Sequence, residues 1–76
     1  MEQLKNSLTK SFEWNADSIK SMLKQPDLNE SEKGHIFMKL GMCKLAKAIL
    51  KVDCEDYSLI GEYEALEHEV FKELLK

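Results

Sequence analysis

Arginine is absent from this sequence, and all eleven of its cations are lysine. Arginine reads phosphate, carboxylate and guanine with a planar fork of donors, so its absence weighs against nucleic-acid recognition. The formal net charge of −3 weighs the same way, because affinity for nucleic acid rests largely on neutralised phosphates. Proline occurs once and glycine three times, which leaves few turn formers and favours long elements joined by short connections. Valine occurs twice and threonine once, a poor supply of β-branched residues for a sheet. No apolar run approaches the roughly 18 residues of a membrane span. The opening thirty residues hold no continuous apolar stretch of the signal-peptide kind. The expectation is a cytoplasmic protein with neither a membrane nor a nucleic-acid partner.

What is present points to helix. Glu, Lys, Leu and Met are common and are strong helix formers. Seventy-six residues suit one domain spanning 1–76. A chain this short has a small core and commonly draws added stability from disulfides, a metal, oligomerisation or regular helix packing.

Leu4, Leu8, Phe12, Ala16, Ile19, Met22 and Leu23 recur with helical spacing and fall on one arc about 120° wide. They predict a helix from Glu2 to Lys24. Asn15 lies inside that arc and Trp14 about 80° outside it. Pro26 disfavours helical geometry at Gln25 and ends the segment. Asn29 then has the form of an N-cap, with Glu32 as its capping-box partner.

The second segment, Glu30 to Val52, carries apolar residues in three directions. Met38, Met42, Leu45, Ile49 and Val52 form one stripe, Cys43, Ala46 and Leu50 a second, and Ile36, Phe37 and Leu40 a third. A helix apolar nearly all round is usually buried on most sides, so this is the expected central helix. Two short partners leave part of it uncovered, its first half above all.

After Asp53-Cys54-Glu55-Asp56, in which Asp53 or Asp56 is suited to capping, a third helix is expected from Tyr57 to Leu75. Its apolar face comprises Leu59, Ile60, Tyr63, Leu66, Val70, Phe71 and Leu74. Gly61 weakens its first turn and leaves room for a close helix crossing. The expected fold class is all-α, a small antiparallel three-helix bundle, with a helical hairpin plus a mobile third helix as the alternative.

Charge is unevenly distributed. Residues 33–51 hold five lysines and no acid, whereas residues 52–76 hold eight acids and two lysines. Lys44, Lys47 and Lys51 are expected to meet Glu62, Glu69 and Glu73 of the third helix. The other reading of this lysine row is a basic docking surface.

No constellation for catalysis stands out. His35, Cys43, Cys54 and His68 are the soft metal ligands, and their spacing lacks the tight local clamps of zinc sites. Glu32 and His35 form a single Glu-x-x-His instance where di-iron bundles need the motif repeated on facing helices. Glu64 and His68 are four apart, a decorated surface more than a switch. Phosphate loops, nucleophile elbows and His-Glu-x-x-His are missing. The expectation is no enzyme, no catalytic residue, no metal and no cofactor.

Trp14, off the buried arc and beside Glu13 and Asp17, is either covered by a wrapped bundle or a contact with another chain. Ile36, Phe37 and Leu40 extend the same surplus of apolar surface. The expected function is a protein-interaction module: a small regulator, inhibitor, adaptor or co-chaperone, in its simplest form a homodimer. Its expected contacts are Trp14, Ile36, Phe37 and Leu40, with Lys44, Lys47 and Lys51 as an electrostatic surface. The alternative is a small DNA-binding regulator, with the lysine row as docking stripe. Against it stand the acids of the turn and the glutamates of the would-be recognition helix.

Overall fold

A computed structural model describes residues 2–75. Three helices account for most of them: α1 (Glu2–Leu23), α2 (Glu30–Asp53) and α3 (Ile60–Leu74). The chain is an all-α three-helix bundle, as the periodicity predicts.

The helix ends follow from local chemistry. α1 runs out in two tightened hydrogen bonds, from Lys24 N–H to the Ser21 carbonyl and from Gln25 N–H to the Met22 carbonyl, directly before Pro26. Asn29 stands at the N-cap of α2 in extended geometry. Its Oδ1 accepts from Glu32 N–H at 2.8 Å, and Glu32 Oε1 accepts from Asn29 N–H at 3.1 Å. This complete capping box satisfies two amides that would otherwise lack partners.

Beyond the Cys54 C-cap of α2, the chain reverses at Glu55, whose φ of 51° places a non-glycine residue in the left-handed region. The reversal lets Cys54 N–H and Asp56 N–H both donate to the Leu50 carbonyl. Asp56 then organises a short turn instead of capping α3 directly. Its Oδ1 accepts from Ser58 N–H at 3.0 Å and from Ser58 Oγ at 2.6 Å. The turn takes up residues 57–59, so α3 starts three residues later than the periodicity suggests, and no side chain caps it.

The helices run antiparallel in sequence order. Cys43 meets Phe12 across α1 and α2. Lys47 meets Tyr63, and Phe37 meets Phe71, across α2 and α3. The α1–α2 interface is the largest and α1–α3 the smallest.

The core joins Phe12, Ala16 and Ile19 of α1 to Ile36, Leu40, Cys43, Ala46 and Leu50 of α2. Leu59, Tyr63, Leu66 and Val70 complete it from the α3 side. Asn15 is the one buried polar residue among those described. Its amide donates to the Ser11 carbonyl at 2.8 Å, so it needs no partner beyond its own helix. Gly61 opens onto empty space and makes no close crossing.

Candidate binding face on the second helix

α2 is asked to pack in three directions, and the structure buries one continuous arc of it. Ile36, Leu40, Cys43, Ala46 and Leu50 point into the core. α1 covers one flank of that arc and α3 the other. The Cα envelope measures 41 × 18 × 15 Å, which is two helices across, so no further helix remains to close the far side of α2.

That far side is apolar. Met38 is 58% exposed, Met42 48%, Leu45 61% and Val52 74%. Ile49, between them, is half-buried. At 100° per residue these five fall within an arc of about 80°. Its centre lies about 140° from the centre of the core-facing arc. Their spacing is four, three, four, three. Gly34, Gly41 and Ala48, all exposed, run along one edge of the stripe. Among the described residues, nothing beyond the adjoining turns of α2 itself comes within 4 Å of where a β-carbon would stand on either glycine.

Phe37 continues the stripe toward α3. It is 38% exposed, and its ring lies against Phe71, centroids 6.3 Å apart and planes tilted by 38°. Phe71 is itself 43% exposed. The two rings make an apolar shoulder beside Met38 and Gly41.

The expected contact residues separate into two groups. Trp14 is 79% exposed on the side of α1 turned away from the core. Phe37, Lys44 and Lys51 are also at the surface. Ile36 and Leu40 are not, since both are buried in the core at 0% and 5% exposure. They are therefore corrected from contact residues to packing residues. The physical reason is angular: they sit on the same arc as Cys43 and Leu50, which Phe12 and Ile19 draw toward α1.

Lys47 is half-buried. Its Nζ stands 4.6 Å from the centroid of the Tyr63 ring, a cation–π contact within the chain. Tyr63 is buried, and its hydroxyl donates to Glu67 Oε2 at 3.1 Å. Burial, with the Glu67 carboxylate second, pushes the phenol up to about 12.

The lysine row does not form salt bridges with Glu62 or Glu69. The ion pairs among the described residues are Lys5–Asp56 at 3.5 Å and Lys33–Glu30 at 3.7 Å. The first ties α1 to the turn before α3. Asp56 is held below the ordinary carboxylate range, first by the Ser58 hydroxyl and main-chain N–H and then by Lys5.

Met38, Met42, Leu45 and Val52 are at the surface although they are not among the expected contacts. The signal was present as one of three stripes on α2, but nothing in the sequence ranks the stripes.

A concavity of about 340 Å³ lies between α1 and α3. Phe12, Ala16 and Leu66 floor it, and Glu13, Asp17, Glu62 and Glu69 stand at its rim. The carboxylates lack any companion arrangement for chemistry. Among the described residues no group of three or more His, Cys, Asp or Glu side chains could hold a metal. Nor is any described helix long and apolar enough to cross a membrane.

The chain matches no protein-family profile, and neither curated proteins nor solved structures show significant similarity to it.

Proposed function

We propose that this chain is a protein-interaction module that binds another polypeptide through the outer face of α2. One observation carries the reading: Met38, Met42, Leu45 and Val52 stand exposed in a single line opposite the core. Scattered apolar residues at a surface are ordinary, whereas a contiguous stripe of this length is the mark of an interface. Methionine suits the task, because its unbranched, polarisable side chain adapts to a partner's contour. The recognition mode is a helix laid along a helix or seated in a groove, with anchors at successive turns. Phe37 and Phe71 extend the contact at one border, and Lys44 and Lys51 supply charge beyond it. Trp14 stands as a separate exposed anchor on α1.

Photo-crosslinking tests this. A photoreactive residue placed at position 45 is expected to capture a polypeptide in the source cell, while the same residue at position 64, on the exposed side of α3, captures none. Equal yields at the two positions, or no polypeptide adduct from position 45, would overturn the reading.

A further inference from the structure

We propose that the polypeptide seated on this face is a second copy of the chain, with the two α2 helices packed antiparallel. This rests on the reading of the outer face of α2 as an interface and names its occupant.

The pattern of the stripe is the first argument. Met38, Met42, Leu45, Ile49 and Val52 repeat at four, three, four, three, which is the seam of two helices that wind around each other. α2 is the longest element at 24 residues, about 36 Å from end to end, so a paired copy has several successive layers to fill.

The edges of the seam supply the second argument. Gly34, Gly41 and Ala48 line one edge at intervals of seven, and no atom of the chain's own fold occupies the space above the glycines. They add no contact of their own but let a second backbone lie close. The opposite edge carries Lys39 toward the start of α2 and Asp53 at its end. Antiparallel pairing turns Lys39 of one copy toward the Asp53 end of the other, twice over by symmetry. It also opposes the two helix dipoles. Parallel pairing would set the Lys39 and Asp53 edge of each copy against the glycine edge of the other and leave these charges unmatched.

Area is the third argument. The stripe exposes on the order of 500 Å² of apolar surface, near the upper end for a monomer. A stable pair buries about 800 Å² on each side. The seam provides the apolar centre of such an interface. Phe37, Lys39, Gly41, Ala48 and Asp53 provide its border.

Sedimentation equilibrium of the full chain, from micromolar to submillimolar concentration, is expected to show a reversible monomer–dimer equilibrium. Leu45→Glu is expected to abolish the dimer while the far-ultraviolet circular dichroism stays helical, and Trp14→Ala is expected to leave the dimer intact. Orientation is read by oxidation in a Cys54→Ser background. Leu45→Cys, at the middle of the seam, is expected to form an intermolecular disulfide, and Val52→Cys, at its end, is not. A monomer at every concentration overturns the proposal. So does a dimer that survives Leu45→Glu, or one cross-linked equally well through position 52. The broader reading fails by a different result: a photoreactive residue at position 45 that captures no polypeptide at all. Capture of a polypeptide of different mass, with the chain monomeric, would sink only the second copy.

Discussion

The thiol of Cys43 donates to the main-chain carbonyl of Phe12 across the α1–α2 interface, with 3.6 Å between Sγ and O. Both residues are almost completely buried, at 0% and 2% exposure. The cysteine therefore joins two helices inside the core, where its side chain is shielded from water.

Burial pushes the Cys43 thiol up from 9.0 to about 11. Its protonated form is favoured by folding, so between those values the folded state binds more protons than the unfolded one. Stability contributed by this group is intact below pH 9.0 and is lost as pH climbs through about 11. The slope reaches about 1.4 kcal/mol per pH unit for the single proton. Tyr63, raised from 10.0 to about 12, continues the decline in the same direction. Urea midpoints measured from neutral to alkaline pH are expected to fall across this range, and Cys43→Ala is expected to remove the earlier part of the fall. Native protein titrated with a thiol reagent near neutrality is expected to react at Cys54, which is half-buried, and to spare Cys43 until denaturant is added.

The capping box at Asn29 is expected to matter disproportionately in so small a domain. Asn29→Ala strips the acceptor from Glu32 N–H and leaves an amide of α2 without its partner. The cost is about 1 kcal/mol. Thermal unfolding followed at 222 nm is expected to shift down by roughly 4–8 °C for a domain of this size. No shift would mean that water satisfies these amides equally well.

Glu55 offers the opposite experiment. Its side chain is exposed, yet its backbone adopts a left-handed conformation that β-carbon crowding disfavours. Glu55→Gly relieves that strain and gives back part of the gain through a freer unfolded chain. The net expectation is a stabilisation of about 0.5–1 kcal/mol, read as a higher urea midpoint at unchanged slope. A lower midpoint would show that the unfolded-chain term dominates.

Ile36 and Trp14 separate packing from surface. Ile36→Ala is expected to cost about 2–5 kcal/mol and to leave much of the population unfolded. Trp14→Ala is expected to change stability by no more than about 0.5 kcal/mol. Trp14 is the only tryptophan, so its fluorescence reports this position alone. Emission at the wavelength of a hydrated indole, quenched freely by iodide in the monomer, is the expected result. A blue-shifted, protected emission would place the ring against something.

Much of the bundle is legible in the sequence. The break at Pro26 and the Asn29–Glu32 box are encoded within a few residues, and both stand as read. The third helix was misplaced by three residues because Asp56 binds Ser58 in a turn that looks, in sequence, like a helix start. Charge was less legible. The lysines of α2 and the glutamates of α3 invite pairing, but Lys47 went to the face of Tyr63 instead, a contact that depends on the relative rotation of two helices.

Sequence alone determined that there would be three helices, where the first two meet, and that α2 would be apolar in more directions than its neighbours could cover. Those properties live in local propensity, capping and periodicity, and need no knowledge of what packs where. Which direction of α2 turns inward was decided only in three dimensions. Ile36, Leu40 and Cys43 could be joined to Phe12 and Ile19 in one buried arc, and joining them rotates Met38, Met42, Leu45 and Val52 outward. A helix can be rotated about its axis without altering a single local hydrogen bond, so only the fit of neighbouring side chains could choose the angle.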